Sequence, residues 1–120
     1  IPTQTKTESV KKKISIPDME EPIFVFKNLL ALAEEQGIVL KLKRIEGYGS
    51  VLKGNRIAIC ENQMFEKVVY EAAYELAHYF IHHNQGNMIT SPLEKDYNEQ
   101  AERAAFMMIR MLDIKAKQKY

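Results

Sequence analysis

The chain has 120 residues and one cysteine, Cys60, so it holds no internal disulfide and reads as a protein of a reducing compartment. A cytoplasmic location is the expectation that follows. No apolar run approaches the ~20 residues that a membrane-spanning helix needs, and no secretory leader is visible. The first residue is Ile1 and not Met, which leaves a fragment or a processed form as open readings of the start. Neither sign of charge is in excess. The formal net charge of +1 supplies no global field toward nucleic acid or a membrane surface. Lysines gather only near the two ends, at Lys11, Lys12 and Lys13 and at Lys115, Lys117 and Lys119, where short runs are ordinarily solvated tails. A recognition-helix pattern and a basic stripe are both missing, so no direct nucleic-acid contact is expected. Internal repeats and low-complexity segments are missing too.

What is present is the mix of a folded soluble protein, 46% hydrophobic and 28% charged, in a length that supports one domain with a modest core. Residues 1–17 are polar, lysine-containing and without apolar period, and read as a flexible arm ahead of a domain over 18–117. Within the arm, Ile14-Ser15-Ile16 is too short to establish a strand. A first helix is expected from about Met19 to Gln36, with Asp18 as its cap and Pro22 in the first turn. Phe26, Leu29, Leu30 and Ala33 are its apolar stripe, and Gly37 its stop. Ile38 to Lys43 alternates like a half-buried strand. Ser50–Lys53 and Arg56–Cys60 flank Gly54-Asn55, a two-residue hairpin signal. Asn62 is a candidate cap for a second helix over about Gln63 to His83, with Val68, Val69, Ala72, Leu76, Tyr79 and Phe80 as its apolar side. Ser91-Pro92-Leu93-Glu94 is a start signal for a last helix reaching about Ala116, with Tyr97, Ala101, Ala104, Ala105, Met108 and Leu112 buried. The expected class is α+β: a helix, a three-stranded mainly antiparallel sheet, and two further helices.

The chemistry sits in Tyr74-Glu75-Leu76-Ala77-His78. Residues i and i+4 of a helix lie on one face, roughly 5–6 Å apart between Cβ atoms. Two histidines at that spacing can bind one zinc ion, and a glutamate directly after the first can polarise the metal-bound water. Glu75 and His78 stand at the base and second-ligand positions, while Tyr74 stands where the first histidine belongs. A tyrosine ligand would have to be a phenolate, costly for a group with a free pKa near ~10. The expected role of Tyr74 is therefore to fill the space a metal would take. Glu75, His78 and His82 also share one face and form an alternative donor set, although His82 and His83 equally suit the negative pole of a helix end. Phe106, Met107, Met108 and Met111 read as core with adjoining surface, and Cys60 as an inert buried thiol.

Three stretches carry a resemblance to a known family. Gly37-Ile38-Val39-Leu40 is similar to a first strand leaving an opening helix. Tyr48 to Ile59 is similar to a hairpin, and Tyr74-Glu75-Leu76-Ala77-His78-Tyr79-Phe80-Ile81-His82-His83 resembles an active-site helix. The pattern is that of the ImmA/IrrE family of small zinc metallopeptidases, over roughly residues 20 to 112. Asn98 to Ala105 more loosely resembles the family's second motif, which supplies a carboxylate ligand. The resemblance implies a minimal zincin-like fold and a zinc endopeptidase of phages and mobile elements that cleaves a helix-turn-helix repressor. Carried over by position, Glu75 matches the general base and His78 a zinc ligand. Tyr74 departs from the first ligand, and Asn98 and Gln100 stand on the two glutamates of the second motif. A one-residue shift brings Glu99 to the ligand position. These departures lead to the expectation of a degenerate member, weak or inactive, without a bound cofactor and acting on a protein partner such as a repressor. The alternative is an active endopeptidase that uses zinc, Glu75 as base and an unusual ligand set drawn from His78, Glu99 and His82.

Overall fold

The computed structural model describes residues 16–82 and 94–118. Along the chain these form α1 (Pro22–Glu35), β1 (Val39–Lys43), β2 (Ser50–Lys53), β3 (Arg56–Cys60), α2 (Phe65–His82) and α3 (Glu94–Gln118). The class is α+β. The membrane criterion is unmet: no helix among the described residues is long and apolar enough to cross a bilayer. Packing begins earlier than the polar arm suggests, since Ile16 lies against the core and Pro17 is buried.

The sheet differs from the expected mainly antiparallel arrangement. Its order is β1-β3-β2, with β2 antiparallel to β3 but β1 parallel to it, so it is mixed. The reason is compositional. β3, Arg-Ile-Ala-Ile-Cys, buries Ile57, Ile59 and Cys60 and is the most apolar of the three described strands, which suits the central place. β1 and β2, each carrying lysine, flank it. The turn between β2 and β3 places Gly54 at φ +62 with no positive φ at Asn55, the signature of a type II′ hairpin. Asn55 Nδ2 then donates to Gly37 O at 2.9 Å, tying the hairpin tip to the end of α1.

α1 ends where Gly37 predicts. Gly37, at φ +72, donates to Glu34 O at 3.1 Å, and Ile38 donates to Ala33 O at 2.8 Å, the paired bonds of a Schellman stop. Its start is not made by Asp18. The helix begins at Pro22, and the amides of Glu20 and Glu21 donate instead to the Asp113 carboxylate of α3, at 3.1 and 2.8 Å. In α2, likewise, Met64 and not Asn62 accepts the opening bonds, from Lys67 and Val68. Ser91, Pro92 and Leu93 lie outside the described residues. α3 is in place by Glu94 and runs to Gln118.

α2 lies between the sheet and the other helices, so its apolar arc is wide. Val68, Val69, Tyr70, Ala72, Ala73, Leu76 and Ala77 are all buried, whereas Phe80, expected inside, is exposed. α1 contributes Val25, Leu29 and Ala33, and α3 contributes Ala105 and Ile109, with Ala101 also buried. Alanines at the α2–α3 seam let the helix backbones approach closely. Phe106 and Met108 pack on this core, while Met107 and Met111 stand in solvent.

Candidate functional site

The expected catalytic segment is helical and lies mid-way along α2. Tyr74 and His78 are half-buried and meet edge to face, their ring centroids 4.6 Å apart at 77°. On its other side Tyr74 stacks on Tyr70 at 6.0 Å. Aromatic surface thus occupies the face on which a pair of metal-binding histidines would stand.

Glu75 turns the other way, toward β2. The residue is 8% exposed, and its carboxylate lies 2.6 Å from Ser50 Oγ. The same hydroxyl lies 2.5 Å from Glu71 Oε1, and Lys67 Nζ pairs with Glu71 Oε2 at 2.8 Å. Lys67, Glu71 and Glu75 succeed one another at i, i+4 and i+8, which puts all three on the face of α2 that receives the edge strand. Gln63 completes the arrangement by donating to Cys60 O at 2.9 Å and Gly49 O at 3.2 Å. Gly49 lies close against the Glu71 carboxylate, which would have to shift to admit a side chain there. A Cβ there would meet Glu71 Oε2 at 2.5 Å.

A serine hydroxyl carries one hydrogen and here faces two carboxyl oxygens. The second short contact therefore needs a carboxyl proton. Burial raises the proton affinity of Glu75, an effect the Ser50 hydrogen bond opposes and the neighbouring Glu71 charge reinforces, while Lys67 neutralises Glu71. Ser50 Oγ thus bridges the two carboxyl groups, able to donate its one hydrogen to either, and a proton held by Glu75 would make both contacts hydrogen bonds. A carboxyl engaged in this way is not a free general base.

This arrangement has a measurable consequence. A carboxyl whose folded pKa lies above its ordinary 4.5 contributes fully below that value, and the contribution is lost as pH rises through the folded pKa. Glu75→Gln removes the titration. Its melting temperature relative to the unmodified chain should rise as pH increases from 4.5 toward 8, by roughly 4–8 °C for each kcal/mol gained. A difference that does not change with pH would place no proton on Glu75.

The remaining expected ligands stand on α3 and at the end of α2. Glu99 is exposed on α3 and Asn98 is half-buried there. His82 closes α2, and its side chain lies outside the described residues, as does His83 altogether. Among the described residues no three histidine, cysteine or acidic side chains are grouped to hold a metal ion. Zinc sites normally require three protein ligands, so the described donors do not fit one.

Searches against family models, curated proteins and solved structures find no match.

Ser50, Glu71, Lys67 and Gly49 are the residues that sequence reasoning missed. The i, i+4, i+8 run of Lys67, Glu71 and Glu75 was a readable signal, because two glutamates one turn apart repel unless something lies between them. One more feature is unexplained by packing alone: the Tyr70 hydroxyl is buried with no hydrogen-bond partner among the described residues, and burial, aided by the Glu102 charge, pushes its pKa up.

Proposed function

We propose that this chain is a metallopeptidase-like domain of the ImmA/IrrE kind that has lost metal catalysis and acts by binding a protein, in the cytoplasm, on a phage or mobile-element regulator such as a helix-turn-helix repressor. The observation that carries this reading is the engagement of Glu75. The residue at the base position is buried against Ser50, and the neighbouring position holds a tyrosine packed on His78. A peptidase needs the opposite: an ionised carboxylate beside a metal-bound water.

Binding would use the outer edge of β2. In a two-residue hairpin Lys53 and Arg56 form a hydrogen-bonded pair, and the Cys60 amide donates to Gly49 O at 2.8 Å at the other end. By alternation Val51 also faces β3, so Ser50 and Leu52 turn their backbone N–H and C=O groups outward. Among the described residues no strand pairs with that edge. An added strand is the recurring way in which an extended peptide docks on such an edge.

The test is the metal content of the purified chain after dialysis against trace zinc. The expected result is far less than one zinc per chain and a melting temperature that chelator does not change. One zinc per chain, lost on His78→Ala, would instead overturn the metal-free reading and revive the active endopeptidase.

A further inference from the structure

The face of the sheet turned away from the helices gathers cations of one sign. Strand alternation sorts the residues. Leu40, Leu52, Ile57 and Ile59 pack in or against the core, so Lys41 and Lys43 of β1, Lys53 of β2 and Arg56 of β3 point the other way. All four cations are exposed. Arg56 stands opposite Lys53 on one side and Val39 on the other. Two residues along, Ala58 stands between Val51 and Lys41. With strands roughly 5 Å apart and a rise of roughly 3.3 Å per residue, the Cα atoms of the four cations fall within about 16 Å. No strand among the described residues holds an acidic residue, and none of the four cations has an ion pair there. Glu61, just past β3, pairs with Arg44 instead, at 3.7 Å. Lysine on an edge strand guards against aggregation. That does not account for an arginine on the central strand directly opposite a lysine, an arrangement that costs stability.

We propose that this face binds duplex DNA through its phosphates, without reading base sequence. The inference goes beyond the protein-binding reading and does not rest on it. It departs from the expectation drawn from the linear sequence, where the four cations are spread over residues 41–56 and form no stripe. Only the alternation and register of the strands bring them together.

Charge density favours a polyanion. A duplex carries one negative charge per ~1.7 Å of axis, so each cation meets a phosphate in any register. The residue types then choose among polyanions. Protein interfaces are poor in lysine and rich in aromatic residues, whereas this face is lysine-rich and no described strand carries an aromatic residue. The same lack removes the stacking platform on which single-stranded bases are held. Between the cations stand Val39, Val51 and Ala58, with no hydroxyl or amide side chain to contact the 2′-hydroxyls of duplex RNA. The chain's own remaining segments do not supply the anion: residues 1–15 hold four lysines and one glutamate, and residues 83–93 hold no acid.

The experiment is fluorescence anisotropy of a labelled DNA duplex of about 20 base pairs and mixed sequence, titrated with the full chain from about 50 to about 200 mM salt. Four phosphate contacts predict a slope of log affinity against log salt of about −3.6, a loss of roughly 150-fold over that range, with the same slope for a second, unrelated sequence. Lys41→Gln combined with Lys53→Gln should bring the slope to about −1.8. Lys27→Gln combined with Lys115→Gln removes the same charge from exposed positions of α1 and α3 and should leave the slope unchanged. Circular dichroism checks that both double variants are folded. No binding at the lowest salt overturns the proposal, as does a slope that the first double variant leaves unchanged. Equal affinity at matched salt for a polyglutamate peptide, for phosphatidylserine vesicles or for a DNA single strand or RNA duplex also overturns it, because each assigns the face to a different partner. None of these readouts involves zinc or the outer edge of β2, so failure here is distinguishable from failure of the protein-binding reading.

Discussion

Asp113→Ala is expected to destabilise the chain by about 2–4 kcal/mol and to lower its melting temperature by roughly 10 °C or more. Asp113 is 6% exposed, and its carboxylate accepts the amides of Glu20 and Glu21 at 3.1 and 2.8 Å. Those amides precede Pro22, the first residue of α1, and no side chain of the helix's own cap residue satisfies them. Alanine would leave two amides without an acceptor and open a gap at the α1–α3 contact, where a net hydrogen bond becomes a desolvation penalty. The ion pair of Lys117 and Glu20 nearby, 3.8 Å long and largely exposed, offers little compensation. Asp113→Asn keeps one oxygen acceptor and should lose about half as much. Urea unfolding of both variants at neutral pH provides the measurement. An alanine variant within 0.5 kcal/mol of the unmodified chain, inside the range of ordinary surface changes, would mean that α1 is held by packing alone and that the bonds to Asp113 contribute nothing.

The same bonds explain what was and was not legible in the sequence. Signals that act within a few residues were read correctly: Gly37 ends α1, Gly54-Asn55 turns β2 into β3, and the boundaries of both hairpin strands are as expected. Asp18 was the wrong cap because the true one lies 92 to 93 residues away, and nothing local marks it. Strand order is a non-local property of the same kind. Alternation in Ile38 to Lys43 indicates a strand but not its neighbour, and β1 pairs with β3 only because the more apolar β3 takes the centre. On α2 the periodicity misplaced Phe80 and missed Tyr70, Ala73 and Ala77. A helix covered on two sides has no single apolar stripe to read. The site shows the same division. Tyr74, Glu75 and His78 are legible as a group because a helix fixes their spacing. The partner of Glu75 is Ser50, 25 residues distant on another element, and only the fold brings the two together.

A histidine placed at position 74 is expected not to create a zinc site by itself, whereas Tyr74→His combined with Asn98→Glu is expected to bind one zinc per chain at least ~100-fold more tightly than either single change. The argument follows from the packing of α2 on α3. The 11 residues 83–93 join them, a connection that suits an antiparallel pair. Tyr70 meets Phe106 edge to face at 6.2 Å, which fixes their register. Eight residues further along α2 is His78 and eight residues back along α3 is Asn98, so the two stand at the same level. Histidines at 74 and 78 supply two donors from one helix face. The third must come from across the seam, and asparagine is a poor ligand for zinc while glutamate is a good one. Calorimetric titration with zinc, after circular dichroism has shown each variant folded, separates the outcomes. Tight stoichiometric binding by Tyr74→His alone would reveal a third donor already in place, with Glu99 or His82 the residues to replace next. Failure of the double variant would show that His78 and Asn98 do not face one another across the seam. Success of the double variant alone would mean that two substitutions separate this chain from a metal centre, with the carboxyl at position 75 then free to be drawn from Ser50 toward the ion.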